Sequence, residues 1–296
     1  MNAVTDMLGC RHPIMLGAMG VICNPELVAA VSEAGGYGLL ATAFALDVDV
    51  LRTQIQETKK LTGNPFGANL FAMNPLVHEF IDVLAEEGIR AVTVSGGSPK
   101  EIIPRLHEKN IKAIVVVPHA DVARKAEALG ADAIVAEGSE SGGMQGFKGA
   151  STLVLVPAVV DAVQIPVIAA GGIGDSRGYK AAFALGAQGV QVGTRFIASQ
   201  ECIAHKNYKD TIVESQETGT GLVDLGRIRI RALQTRLVKD LIQGTRATDT
   251  AFSGEAIEKS WLKGDLEAGV LPAGEVSGLI SSIPTVAELI DEMLNG

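Results

Sequence analysis

The chain has 296 residues, a formal net charge of -9, 47% hydrophobic but only 4% aromatic residues, and 34 glycines. Such an acidic chain is a poor partner for nucleic acid or an anionic membrane surface, and no run of about 18 uninterrupted apolar residues suggests a membrane span. Its cysteines, Cys10, Cys23 and Cys202, form no CxxC pair and no His/Cys cluster of metal spacing, so neither a disulfide framework nor a metal site is expected.

Taken in chain order, short aliphatic runs alternate with helical patterns. Strands are predicted at 13–17, 37–41, 66–70, 90–94, 112–117, 132–136, 166–169 and 188–192, each ending in a turn rich in Gly, Asn, Ser or Pro. Helices are predicted between them, from PELVAAVSEA through VDVLRTQIQETKKL and ADVARKAEALG to SRGYKAAFALG, several opening near Pro or Ser and closing on Gly. The segments EEGIRAVTV, EKNIKAIVVV, EALGADAIVAEG and FALGAQGVQVG read as variants of one helix–turn–strand unit. Eight strands in strict alternation favour a closed (β/α)8 TIM barrel over an open doubly wound sheet. Residues 1–199 and 266–296 are assigned to this barrel. Residues 200–265 carry more charge, read as helices without strands, and are taken as a helical extension or lid. The last segment, IPTVAELIDEMLNG, reads as a capped amphipathic helix returning to the barrel wall.

In such a barrel, ligand and catalytic groups sit where strands end. After strands seven and eight come AAGGIGD (169–175) and VGTRF (192–196), and the backbone amides of Gly171, Gly172, Gly193 and Thr194 could converge on one phosphate. On the same rim, Gly17, Ala18 and Met19 follow strand one and could border a flat ring, and Asn69 ends strand three with an amide that both donates and accepts. Glu137 ends strand six, ahead of the flexible pair Gly142 and Gly143.

These motifs, together with EAGGYGLL, PFGANL, HKNYK and AGEVSGLI, resemble the flavin-dependent family of the nitronate monooxygenases and FabK-type enoyl-acyl-carrier-protein reductases. AEGSESGG, VQVGTRFIAS and HKNYK are closer in style to the reductase branch. The resemblance implies FMN with its phosphate at Gly171–Gly172 and Gly193–Thr194, and its ring against residues 17–19, Asn69, Glu137, Gly142–Gly143 and Gln191. It implies reduction of an activated C=C bond, such as an enoyl thioester, with NADH or NADPH as co-substrate. Alternatives are oxidation of alkyl nitronates with oxygen, or a flavin-binding protein with little turnover. A cytoplasmic protein with a small-molecule or acyl-thioester substrate is expected, and a homodimer is compatible with this reading. AGEVSG would approach the ring from the lid side, although this chain has Glu275 where the family commonly has Gln.

One departure bears on the chemistry. The family commonly continues the strand-six loop as A-G-G-H-x-G, with the histidine as its proposed acid/base or positioning residue. Here the loop reads Ser-Gly-Gly-Met-Gln-Gly, with Met144 at that position. A thioether cannot exchange a proton. His119, which follows strand five on the same rim, is a candidate for a displaced donor, and Met144 for part of a more apolar substrate pocket. Arg227, Arg229, Arg231 and Arg236 are read either as a solvated face or as contacts for an anionic carrier.

Overall fold

The computed structural model describes residues 2–146, 149–226, 228–248 and 250–296. Its strands are β1 (Ile14–Leu16), β2 (Gly38–Ala41), β3 (Phe66–Phe71), β4 (Ala91–Ser95), β5 (Lys112–Val117), β6 (Ala133–Glu137), β7 (Gly143–Gln145), β8 (Val167–Ala170), β9 (Gly189–Val192), β10 (Thr220–Asp224) and β11 (Arg229–Leu233). Eight of them form one parallel sheet in the order β1-β9-β8-β6-β5-β4-β3-β2. A short seam closes it between β1 and β2, where Leu16 N–H donates to Tyr37 O at 2.9 Å and Tyr37 N–H to Ile14 O at 2.8 Å. The chain is therefore a (β/α)8 TIM barrel, and each predicted barrel strand overlaps an observed one.

The strands close into a barrel because they are apolar on both faces. Side chains such as Leu39, Ala68, Val92, Ile114, Ile134, Ile168 and Val190 are wholly buried, as expected where one face fills the barrel and the other meets helices. The helices supply the matching stripe. In Val48–Leu61, capped by the Asp47 carboxylate, Leu51, Ile55 and Thr58 are buried at helical spacing while the charged residues face outward. At the N-terminal end of the barrel, helix Ala3–Leu8 buries Val4 and Leu8 and is capped by Asn2. Helix Val286–Asn295, opened by a Thr285–Glu288 capping box, packs beside helices Ser176–Ala184 and Pro25–Glu33.

Residues 200–265 correct the all-helical expectation. They include helices Lys206–Val213 and Arg236–Ile242, but also the antiparallel pair β10–β11. The third strand of that sheet is β7, from the strand-six loop itself, paired so that Met144 faces Ile230 and Gly143 faces Arg231. The physical reason lies in RIRIRAL, which alternates at period two; Ile230 and Ala232 bury with Val223, Leu237 and Val238 in a small second core. Arginine density masked that alternation. Among the described residues, no helix is long and apolar enough to cross a membrane.

Candidate active site

A cavity of about 480 Å³ opens at the carboxyl ends of the barrel strands, within the range of roughly 300–1,000 Å³ common for cofactor and small-molecule sites. Every barrel strand reaches its wall: Gly17 follows β1, Ala41 ends β2, Asn69 lies in β3, Ser95 ends β4, Val117 ends β5, Glu137 ends β6, Ala170 ends β8 and Gln191 lies in β9. Ala18, Met19, Gly142, Gly143, Met144, Gly171, Gly172, Gly193 and Thr194 also line it, so the structure gathers the expected flavin-contact residues around one space. His119 is not among the lining residues. It precedes helix Ala120–Ala128, one position beyond Pro118, which does line the cavity.

Neighbouring strands fix the polar groups. The Asn69 amide donates to Thr93 Oγ1 at 2.9 Å and Ser95 Oγ at 3.1 Å, which orients it while it stays 3% exposed. Gln191 Nε2 donates to Leu16 O at 3.3 Å, leaving its carbonyl oxygen available. Thr194 Oγ1 accepts from Gly274 N–H at 2.9 Å and retains its own proton for donation.

The glycines are required by the approach of two loops. Gly171 has φ +98°, and a Cβ there would lie 2.9 Å from Gly138 O and 3.0 Å from Thr152 Oγ1. A Cβ at Gly142 would meet the Ala273 carbonyl carbon at 2.6 Å, whereas Gly143 (φ +82°) has open space beside it. The residues present therefore fit a flavin nucleotide: bare backbone lines the cavity around Gly171–Gly172 and Gly193–Thr194, with an adjoining space bounded by small and apolar side chains. No cationic side chain is among the described lining residues, so backbone N–H groups and the Thr194 hydroxyl are what could hold an anionic group. Glu140, beside Gly172, is committed elsewhere: its carboxylate accepts from Thr152 N–H at 2.7 Å and also bonds the Thr152 hydroxyl, at the start of helix Thr152–Val160.

The outer wall was less legible. Phe44, Tyr208 and Trp261 line it, joined with Phe252 by edge-on and tilted ring contacts with centroids 5.8–6.3 Å apart. Trp261 is the only tryptophan in an aromatic-poor chain, and Phe44 follows a strand end, so both carried a signal. The late AGEVSG segment contributes Gly274 and Val276, and Glu275 N–H donates to Glu140 O at 2.9 Å. The Glu275 carboxylate turns instead to Arg231, at 3.0 Å.

Arg231 belongs to no solvated face. It is 9% exposed, donates to Ser139 O at 2.9 Å and Thr220 Oγ1 at 3.2 Å, and meets Glu275, tying β11, β10, the strand-six loop and the late segment together. Arg229 lies 3.4 Å from Asp224 and Arg236 is exposed, whereas Arg227 lies outside the described residues. His205 caps helix Lys206–Val213, its Nδ1 accepting from Asn207 N–H at 3.1 Å, and does not line the cavity.

A closed (β/α)8 barrel with a glycine-walled cavity across its strand ends defines a TIM-barrel protein with its ligand site at the carboxyl ends of the strands. The chain belongs to the nitronate monooxygenase family, whose model matches residues 1–87 and 77–296. It is similar to FabK from Thermotoga maritima, with 40% identity and a TM-score of 0.92 over 99% of this chain and 95% of that one. Among curated proteins it is similar to (3aS,4S,5R,7aS)-5-hydroxy-7a-methyl-1-oxo-octahydro-1H-indene-4-carboxyl-CoA dehydrogenase of Rhodococcus jostii (strain RHA1), with 33% identity over 98% of this chain and 94% of that protein. A probable nitronate monooxygenase of Staphylococcus aureus (strain JH9) is 34% identical over 82% of this chain and 81% of its own length. The family and these relatives make this chain an FMN-dependent oxidoreductase.

Proposed function

We propose that the protein reduces an activated C=C bond of an acyl thioester, using NADH or NADPH as the source of reducing equivalents. The observation that carries this reading is the cavity wall: bare backbone around Gly171–Gly172 and Gly193–Thr194, and an apolar chamber beyond it that includes Met144. Bound FMN would supply hydride chemistry. The chain's own residues do the rest. The backbone at Gly171, Gly172 and Gly193, with Thr194 Oγ1, would hold the phosphate; Asn69 and Gln191, fixed by neighbouring strands, would orient the ring; Phe44, Trp261 and Met144 would exclude water and accept an apolar acyl group. An acyl thioester as substrate class is supported by the likeness to FabK and by the carboxyl-CoA substrate in the name of the Rhodococcus relative.

A second reading, oxidation of alkyl nitronates, is favoured by the likeness to the Staphylococcus protein. Anaerobic stopped-flow on the FMN-loaded protein separates the two. Bleaching of the flavin by NADH or NADPH and recovery on adding an enoyl thioester is the expected result. Bleaching by a nitronate, with no response to the nicotinamides, would transfer the assignment to the second reading. We further propose that residues 200–265 act as a lid, since Tyr208, Ile228 and Trp261 from this stretch all border the cavity.

A further inference from the structure

Reducing a C=C bond consumes one hydride and one proton, and the cavity offers few sources for the proton. Among its described lining residues the ionisable side chains are Glu137, Glu140 and Tyr208. Glu140 is taken up by Thr152. The Tyr208 hydroxyl donates to Pro272 O at 2.5 Å, and burial holds it firmly protonated. Glu137 remains. It ends β6 and lines the cavity beside Ser141, whose hydroxyl accepts from Gln145 Nε2 at 2.7 Å and lowers the Glu137 carboxyl.

We propose that Glu137 is the proton donor of this site, with Ser141 and Gln145 as the positioning residues that hold its carboxyl against the cavity. The assignment rests on the proposed thioester reduction. The bound cofactor would supply hydride to the β-carbon, leaving an enolate. The Glu137 O–H bond then breaks, a C–H bond forms at the α-carbon, and the carboxylate recovers a proton from water. The electrons come from the reduced nicotinamide already named.

The surroundings keep a substantial fraction of this carboxyl in its acid form near neutral pH. Burial pushes it up to about 7, opposed only by the Ser141 hydroxyl, and no charged side chain counters it. The flanking strands present Val117 and Pro118 on one side and Ala170 and Gly171 on the other, and the nearest charged group on its own loop, Glu140, is tied to Thr152. A donor of this kind contributes roughly 10²–10⁴-fold to the rate.

The test pairs two readouts on Glu137→Gln. Measured per bound flavin, thioester reduction is expected to fall at least about 100-fold, with the alkaline limb near pH 7 lost from the pH profile. In the flavin-free protein, difference infrared spectra should show a carboxylic acid band that fades as pH rises through about 7 and is absent from the variant. Should that variant fail to fold, Ser141→Ala serves, because removing the hydroxyl that lowers the carboxyl should move the alkaline limb to higher pH. A band that vanishes in the ordinary carboxylate range overturns the proposal, as does a limb unmoved by either substitution or one that moves with His119→Ala. An enzyme that binds flavin and reduces thioesters but keeps its limb in Glu137→Gln loses the donor alone. A protein that takes up no flavin loses the functional reading as well.

Discussion

Single residues here carry two opposing demands, close packing and an open wall. Gly171 meets both, because its positive φ and its approach to Gly138 and Thr152 leave no place for a side chain. Gly171→Ala is expected to destabilise the protein by about 1–3 kcal/mol and to weaken flavin binding at least about tenfold. Quenching of Trp261, the sole tryptophan and a wall residue, provides the titration, and an unchanged affinity would remove Gly171 from the cofactor's path. Glu137 is also a stability determinant. Its folded-state value of about 7 lies above the ordinary 4.5, so its protonated form favours the folded state below 4.5, and that contribution is lost as pH rises through 7. The unfolding free energy of the flavin-free protein should therefore fall by up to about 3 kcal/mol relative to Glu137→Gln across that interval. Parallel pH dependence in urea titrations of the two proteins would refute this.

Elements differ in how openly the sequence announces them. The eight barrel strands were readable because each is a short β-branched or aliphatic run ending in turn residues. The strand β7 was not, being three residues long and beginning with glycine. Its existence depends on an incoming partner, β11, whose alternation was hidden by its arginines. The site divides in the same way. Glycines at strand ends mark their own positions, whereas Ser141, Gln145 and the aromatic wall acquire their places only through tertiary contacts. Arg231 is the clasp between these elements. Arg231→Met should cost about 1.5–3 kcal/mol through lost charge-assisted hydrogen bonds, while Glu275→Gln, which alters only a half-exposed partner, should cost less than about 1 kcal/mol. Chemical denaturation of both variants checks the ranking; equal losses would show that the ion pair, and not the bond to Ser139 O, holds the loop.

At the scale of the whole molecule, the barrel is closed by the short β1–β2 seam, with Tyr37 at its centre and the Tyr37 hydroxyl donating to Ala91 O at 2.9 Å. Tyr37→Phe removes that buried bond and should lower stability by about 1–3 kcal/mol with an unchanged denaturant slope; a changed slope would mean that the seam itself had opened. The β7–β11 pairing has a consequence of a different kind. Because the stretch bearing Met144 is a strand of the outer sheet as much as a loop of the barrel, drift in residues 220–224 and 229–233 can re-aim the cavity wall at Met144 while the wall at Gly171–Gly172 and Gly193–Thr194 stays fixed. One scaffold can then change its clientele by revising a short hairpin, a natural route to relatives that share a cofactor and differ in what they act on.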